Sequence, residues 1–317
     1  MNDKDKYRNL CKDETTIPIF SKDWWLDAVA GEGNWDVILV EKGDEIVASL
    51  PYVKRKKMFL EYITMPQLTQ TAGIWIKYPK DQKYTRKLSY EKEIFNEVIN
   101  NIPKVDYFSQ NFHYSITNWL PFYWRGYSQT TKYTYVIEGL SNLDEVFKNF
   151  SQAKKKDIKK AEKIVRVFFD LSAEEFYKNH TLTLSKQNLR ISYSYDLFKR
   201  IYDTVYANDA GKTIYAIDEE GNLHSALLVI WDENSAYDLI STIDPDYRNS
   251  GSASLLVKNI ISYIANKTEK FDFEGSMIEN VEQSFRNFGA VQKPYFNISK
   301  TNSKLLKIRN SIKEVMK

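Results

Sequence analysis

The residues with the clearest chemical potential lie in the run STIDPDYRNSGSA, Ser241 to Ala253. It joins an apolar stretch, Ala236 to Ile243, to one whose apolar residues recur at helical spacing: Leu255, Leu256, Ile260, Tyr263 and Ile264. The pattern predicts a strand, a turn and a helix over Ser252–Asn266. The first N–H groups of a helix have no partner within it and carry partial positive charge. A glycine there lets the backbone approach an anion closely, since no Cβ intervenes. Arg248 adds a planar guanidinium suited to phosphate oxygens. Arg248, Asn249, Ser250, Gly251, Ser252 and Ala253 together have the parts of an anion cradle. The same composition also fits an ordinary loop with a serine-rich N-cap.

The elements that position this turn can be read on both sides of it. In the first part, a helix over Ser21–Ala30 stops at Gly31. Strands follow at Trp35–Val40 and Ile46–Val53, around the turn Lys42-Gly43-Asp44. The basic run Lys54–Lys57 reads as a solvated hairpin end or as a phosphate contact. A helix over Leu88–Asn101, a strand over Val105–Ser109, an aromatic helix over Asn118–Gly126 and a strand over Lys132–Ile137 complete one unit. The second part repeats the plan. A basic helix spans Leu143–Lys163, and helices open at Ser172 and Ser194. Strands lie at Val165–Phe169, Thr213–Ile217, Leu223–Trp231, Ala236–Ile243, Phe271–Glu274 and Pro294–Ile298. Short helices cover Asn280–Phe288 and Ser303–Met316. Laying Gly43 over Gly221 brings Ala48 onto Ala226 and Leu50 onto Leu228. The expected fold is therefore α/β with mixed sheets, in two similar domains, 1–140 and 141–302, followed by a closing helix at 303–317.

Composition removes several classes. The formal charge of +3 on 317 residues is too small for a wholesale electrostatic nucleic-acid binder. One cysteine, Cys11, allows no disulfide within the chain and no cysteine-rich zinc site, and His113, His180 and His224 lack ligand spacing. No metal is expected. Met1 to Phe20 lacks the apolar core of a signal peptide, and no apolar run approaches the roughly 20 residues of a membrane helix. A cytoplasmic location, without membrane insertion, follows by elimination.

Arg248-x-x-Gly251-x-Ala253 resembles the R/Q-x-x-G-x-G/A signature of GNAT acyltransferases, whose backbone amides hold the pyrophosphate of acyl-CoA after the fourth strand. Nearly the whole chain resembles the Fem-type (FemABX) branch, double-GNAT proteins that include methicillin-resistance factors. These add amino acids to peptidoglycan precursors from aminoacyl-tRNA. The likeness is carried by Asp23-Trp24-Trp25, the PYVKRKK segment, Ile158 to Lys163, Phe271 to Ser276 and FRNFGA at Phe285–Ala290. Two departures stand out. The long coiled-coil insert of many tRNA-using members is absent, with only the helix around Lys154–Lys163 in its place. The lysine of the family's F-K-x-G-F-like segment is Arg286 here, which keeps the charge but cannot deprotonate.

The resemblance implies tandem GNAT-like domains, the closing helix 303–317 packed on the first, and transfer of an acyl or aminoacyl group to an amine, with acyl-CoA (acetyl-CoA) or aminoacyl-tRNA as donor. A UDP-linked peptidoglycan precursor is the expected acceptor, and peptidoglycan biosynthesis the expected setting. Such chemistry needs a neutral amine, a polarised carbonyl and a route for the proton. Asp272 and Glu274, two apart on a predicted strand, share a face. Glu274 is the expected base; a salt-bridged pair at a strand end is the alternative. Arg286 is expected to hold a substrate phosphate or carboxylate, or to stabilise an oxyanion, and otherwise is a surface charge. Lys156, Lys159, Lys160 and Lys163 form one cationic stripe, either solvated or in contact with a tRNA acceptor or a nucleotide-linked substrate. Tyr247 packs on the cofactor or acts as an acid. Trp119, Phe122, Tyr123 and Trp124 stack on sugar or fill the core. Two rival functions remain: an acetyl-CoA-dependent N-acetyltransferase acting on a small amine or amino sugar, and a non-catalytic binding protein that keeps the fold.

Overall fold

The computed structural model describes residues 1–275 and 277–315, with side chains described through Arg309. The polar start contains a helix, α1 (Asp3–Asp13), because Tyr7 and Cys11, four apart, bury one of its faces. Next come α2 (Asp23–Ala30), ended by Gly31 at φ +86°, and the strands β1 (Trp35–Lys42) and β2 (Glu45–Lys57). Here β2 is longer than its apolar part predicts and runs through the basic residues to Lys57. The first part continues with β3 (Leu60–Ile63), β4 (Trp75–Ile76), α3 (Tyr84–Asn101), β5 (Tyr107–Asn111), α4 (Leu120–Trp124) and β6 (Ser128–Glu138).

The single basic helix expected over Leu143–Lys163 is two, α5 (Leu143–Lys148) and α6 (Gln152–Ala161). Ser151 breaks it. Its backbone is extended, its hydroxyl accepts the Lys154 N–H at 3.3 Å, and its own N–H donates to the Asn287 carbonyl. Beyond lie β7 (Arg166–Phe169), α7 (Ala173–Ser185), α8 (Tyr195–Ala207), β8 (Gly211–Ile217), β9 (Leu223–Trp231), β10 (Ala236–Ile243), α9 (Ser252–Ile264), β11 (Lys270–Asp272), α10 (Glu279–Arg286), β12 (Val291–Thr301) and α11 (Lys304–Val315). Among the described residues, no helix is long and apolar enough to cross a membrane.

The chain forms two compact units, residues 1–132 with 294–317, and residues 133–293. In the first, the strand order is β1-β2-β3-β5-β12, with β4 added to β2. Its core gathers Ile38, Leu50, Phe108 and Ile298 from the strands and Ile94, Phe95 and Val98 from α3. In the second, the order is β6-β11-β10-β9-β8-β7. Leu227 and Val229 of β9 pack with Leu256, Ile260 and Ile264 of α9. Each unit has an antiparallel hairpin, a third antiparallel strand, a helix, and a strand parallel to the third. Ala48 and Ala226, and Leu50 and Leu228, are buried in the two hairpins in the same order. The units differ from consecutive halves in one respect. β12, late in the chain, pairs antiparallel with β5, and the end of β6, from the earlier part, pairs antiparallel with β11.

Candidate functional site

β10 and β11 are parallel neighbours for two residue pairs only, Ala236↔Phe271 and Tyr237↔Asp272. After that each follows its other partner. β10 continues to Ile243 against β9, with a register shift between Asp238 and Ile240. The chain beyond β11 stays with β6, where the Phe273 N–H donates to the Tyr135 carbonyl at 3.0 Å. The two strands therefore part, and no further strand pairs with them there among the described residues. The corresponding place in the first unit is filled by the chain itself. β3 and β5 pair at Tyr62↔Tyr107 and Ile63↔Phe108. Beyond them the Ala72 N–H donates to the Asn111 carbonyl, and Asn111 Nδ2 donates to the Gln70 carbonyl. Gly73 is so close that a Cβ on it would lie 2.4 Å from the Phe112 ring.

Three carboxyl groups gather where β10 and β11 separate. Asp272 is fully buried, and its Oδ1 accepts the Thr134 hydroxyl and, at 2.7 Å, the Glu274 N–H. Glu274 does not share a strand face with it, contrary to the period-two expectation. The strand ends at Asp272, and Glu274 is left-handed at φ +57°, followed by Gly275 at φ +70°. Such a backbone costs a residue with a Cβ about 1–2 kcal/mol. Gly275 is pressed against β6, where a Cβ would meet the Tyr133 carbonyl oxygen at 2.0 Å. What joins the two acids is thus a side chain-to-backbone turn, not strand alternation.

Glu274 Oε1 is enclosed and has no hydrogen-bond partner among the described residues, although part of the residue reaches the surface. Burial first, then the charges of Asp272 and Asp238, push its pKa well above the usual carboxylate range. Asp238 was not singled out from sequence; its only signal is an acid inside an apolar strand. Burial raises it to about 6, against the opposing effect of Ser241, whose Oγ lies 2.8 and 2.7 Å from its two oxygens. No lysine or arginine forms an ion pair with Glu274 or Asp238 among the described residues. Ser276 lies outside the described residues, while Met277 and Ile278 after it are exposed.

The turn between β10 and α9 is a 3-10 segment, Pro245–Ser250, ended by Gly251 in the left-handed region at φ +81°. Gly251 makes a close approach to protein backbone. A Cβ there would lie 2.3 Å from the Asp157 carbonyl oxygen, on the backbone of α6. α6 lies across the whole turn. Lys160 Nζ donates to the Asn249 carbonyl at 2.6 Å, and Lys154 Nζ to the Ser254 hydroxyl at 3.4 Å. The Ser250 Oγ accepts the Ser252 N–H at 3.3 Å, and the Ser252 hydroxyl is buried against Ser250 and Ser225. The amides of Gly251, Ala253 and Ser254 find no protein acceptor among the described residues. Arg248 is exposed, without a hydrogen bond or ion pair among them. Tyr247 is stacked on His224, 4.0 Å between ring centroids, and His224 Nε2 is 3.0 Å from Asp218.

Lys156, Lys159, Lys160 and Lys163 are exposed, as the stripe predicts. Lys154 is different. Its Nζ reaches Ser284 at 3.0 Å and sits 4.2 Å from the centroid of the Phe288 ring, and burial lowers its pKa. Arg286 is brought to neither cluster. Its side chain is 63% exposed, and its Nε is 3.4 Å from Glu282, one helical turn away. The neighbouring phenylalanines anchor α10: Phe285 stacks on Phe273 at 4.7 Å and Phe288 meets Phe150 at 5.1 Å. Of the four aromatic residues on and before α4, Phe122 is buried, while Tyr123 and Trp124 are exposed.

No protein-family model matches the chain, and no curated protein matches it significantly. Solved structures do resemble it in fold. A structure described as FemX is 11% identical, with 93% of this chain and 96% of that chain covered, at a TM-score of 0.68. The C-terminal domain of a putative lysylphosphatidylglycerol synthetase from Agrobacterium fabrum is 10% identical over 95% and 93%, at 0.55. L-PGS from Bacillus licheniformis is 8% identical over 96% and 93%, also at 0.55. At these identities the likeness establishes the fold alone: a mixed α/β chain in two compact units, similar to FemX along its length.

Proposed function

We propose that this chain transfers an acyl or aminoacyl group to an amine, at the opening between β10 and β11 in its second unit. One observation carries the reading. The strands part beside the N-terminus of α9, and a strained, buried carboxyl without a hydrogen-bond partner on Oε1, Glu274, stands in the gap. A donor carbonyl threaded there faces an acid whose burial makes it a stronger base than a solvated glutamate. Glu274 takes the proton that the attacking amine releases as the new C–N bond forms and the donor's leaving group departs. Asp272 fixes the turn that aims Glu274, through the Glu274 N–H, and Asp238 raises its basicity by charge. Arg286 enters only as a contact for substrate arriving at the surface.

The turn and α6 favour the aminoacyl donor over acyl-CoA. Lys160 holds the turn beside Arg248, continuing the exposed stripe of Lys156, Lys159 and Lys163. This suits a donor with a long phosphate backbone, such as aminoacyl-tRNA, whose affinity falls with salt. The fold neighbour named as the C-terminal domain of a putative lysylphosphatidylglycerol synthetase has, by that name, an aminoacylated product, which accords with the reading. A peptidoglycan precursor is the acceptor we propose, on the resemblance to the Fem branch. Calorimetry with charged tRNA and with acetyl-CoA tests the donor. Tighter binding of acetyl-CoA would overturn the choice, and binding of neither would favour a non-catalytic protein. Glu274→Gln tests the base: turnover should fall at least about 100-fold with donor affinity retained, and full activity would remove Glu274 from the mechanism.

A further inference from the structure

The end of the β2–β3 hairpin is unlike an ordinary hairpin end. β2 loses its partner β1 after the pair Trp35↔Val53, and from Lys54 to Lys57 it pairs with β3 alone. Lys54, Arg55, Lys56, Lys57, Met58 and Phe59 are six consecutive exposed residues. The loop is the two residues Met58-Phe59, between the partners Lys57 and Leu60. Two-residue hairpin loops favour Asn-Gly or Gly-containing pairs because they need positive φ. Here Met58 adopts φ +56° and is 82% exposed, and Phe59 is 65% exposed. Two large apolar side chains thus stand in water at a position that disfavours a Cβ. Behind them are four cations and one acid, Glu61, which pairs with Lys54 at 3.0 Å. Arg55, Lys56 and Lys57 make no ion pair among the described residues.

We propose that this hairpin docks the protein on an anionic lipid bilayer. Met58 and Phe59 enter the boundary between headgroups and acyl chains, and the basic residues behind them meet lipid phosphates. The lysine stems are long enough to lie along apolar surface while their ammonium groups stay at the phosphates. The complementarity is two-layered, apolar at the tip and cationic over the four residues before it. RNA would use the same cations, and Phe59 can stack on a base, but Met58 at the extreme tip offers no stacking face. The docking is peripheral and independent of the transfer chemistry proposed above.

Flotation of the whole chain with vesicles of phosphatidylcholine alone, or with one quarter phosphatidylglycerol, tests this. We expect binding to the phosphatidylglycerol vesicles only. M58S/F59S should weaken it at least tenfold with an unchanged circular dichroism spectrum, since neither side chain belongs to the core. K56E/K57E should weaken it by a similar factor, at about fivefold or more per cation removed. The proposal fails if the wild type does not float with anionic vesicles at low salt, or if M58S/F59S floats like the wild type. It also fails if a single-stranded RNA oligonucleotide binds and displaces the protein from the vesicles with M58S/F59S unaffected in both.

Discussion

Replacing Asp238 by asparagine removes one ionisable group from the carboxyl cluster while keeping its size and an oxygen for Ser241. Burial lifts Asp238 from 3.8 to about 6, so the folded protein holds this proton more tightly than the unfolded chain does. The associated stability is complete below the unfolded value and is lost as pH rises through the folded one. A shift of about two units, at about 1.4 kcal/mol per unit, makes the ionised group cost about 3 kcal/mol at pH 8 and about half of that at pH 5. Asparagine cannot ionise and escapes this cost. Urea unfolding should therefore show the variant gaining on the wild type by about 1.5 kcal/mol between pH 5 and pH 8. Any fixed loss from seating the buried amide cancels in that difference. The charge of Asp238 is also one cause of the raised Glu274 pKa, so the pH at which Glu274 ionises should fall in the variant. A stability difference that is equal at the two pH values would refute the reasoning, because Asp238 would then not be a buried group that ionises against its surroundings.

The remaining expectations are narrower. Glu274 acts as a base only when ionised, so turnover by the wild type should rise with pH through its raised pKa, in the window above the ordinary carboxylate range; a profile that falls across that window would make Glu274 an acid instead. Gly251→Ala should destabilise the chain by about 2 kcal/mol or more, since it meets both a left-handed backbone and the Asp157 carbonyl at 2.3 Å, and thermal unfolding with and without donor would show the loss in the free protein. Ser151→Ala removes the cap of α6 and should cost about 1 kcal/mol in urea unfolding. Arg248→Ala should leave stability unchanged and weaken the donor, most at low salt; unchanged donor affinity would take Arg248 out of the site.

Sequence alone determined most of the order of strands and helices, though not α1, β3 or β4, and it determined the hairpins at Gly43 and Gly221 and the apolar face of α9. Each is written by local rules: alternation, helical spacing, and turns that need glycine. It also determined that a turn with a glycine would precede α9, and the exposed stripe of α6 followed from spacing in the same way. The interruption at Ser151 was not legible, because the basic residues continue at helical spacing across it. Which acids matter was a tertiary outcome. Asp238, Asp272 and Glu274 meet because two parallel strands part after two residue pairs, and Asp272 is held by Thr134, 138 residues away. The burial that raises Glu274 and Asp238 comes from neighbours that no local pattern reports. Gly251 makes the distinction sharpest. Its identity is visible in the sequence as a glycine at a helix start, but only packing decided that the backbone of α6 lies against it. Spacing along a chain specifies what a residue can approach, and the fold supplies what is there.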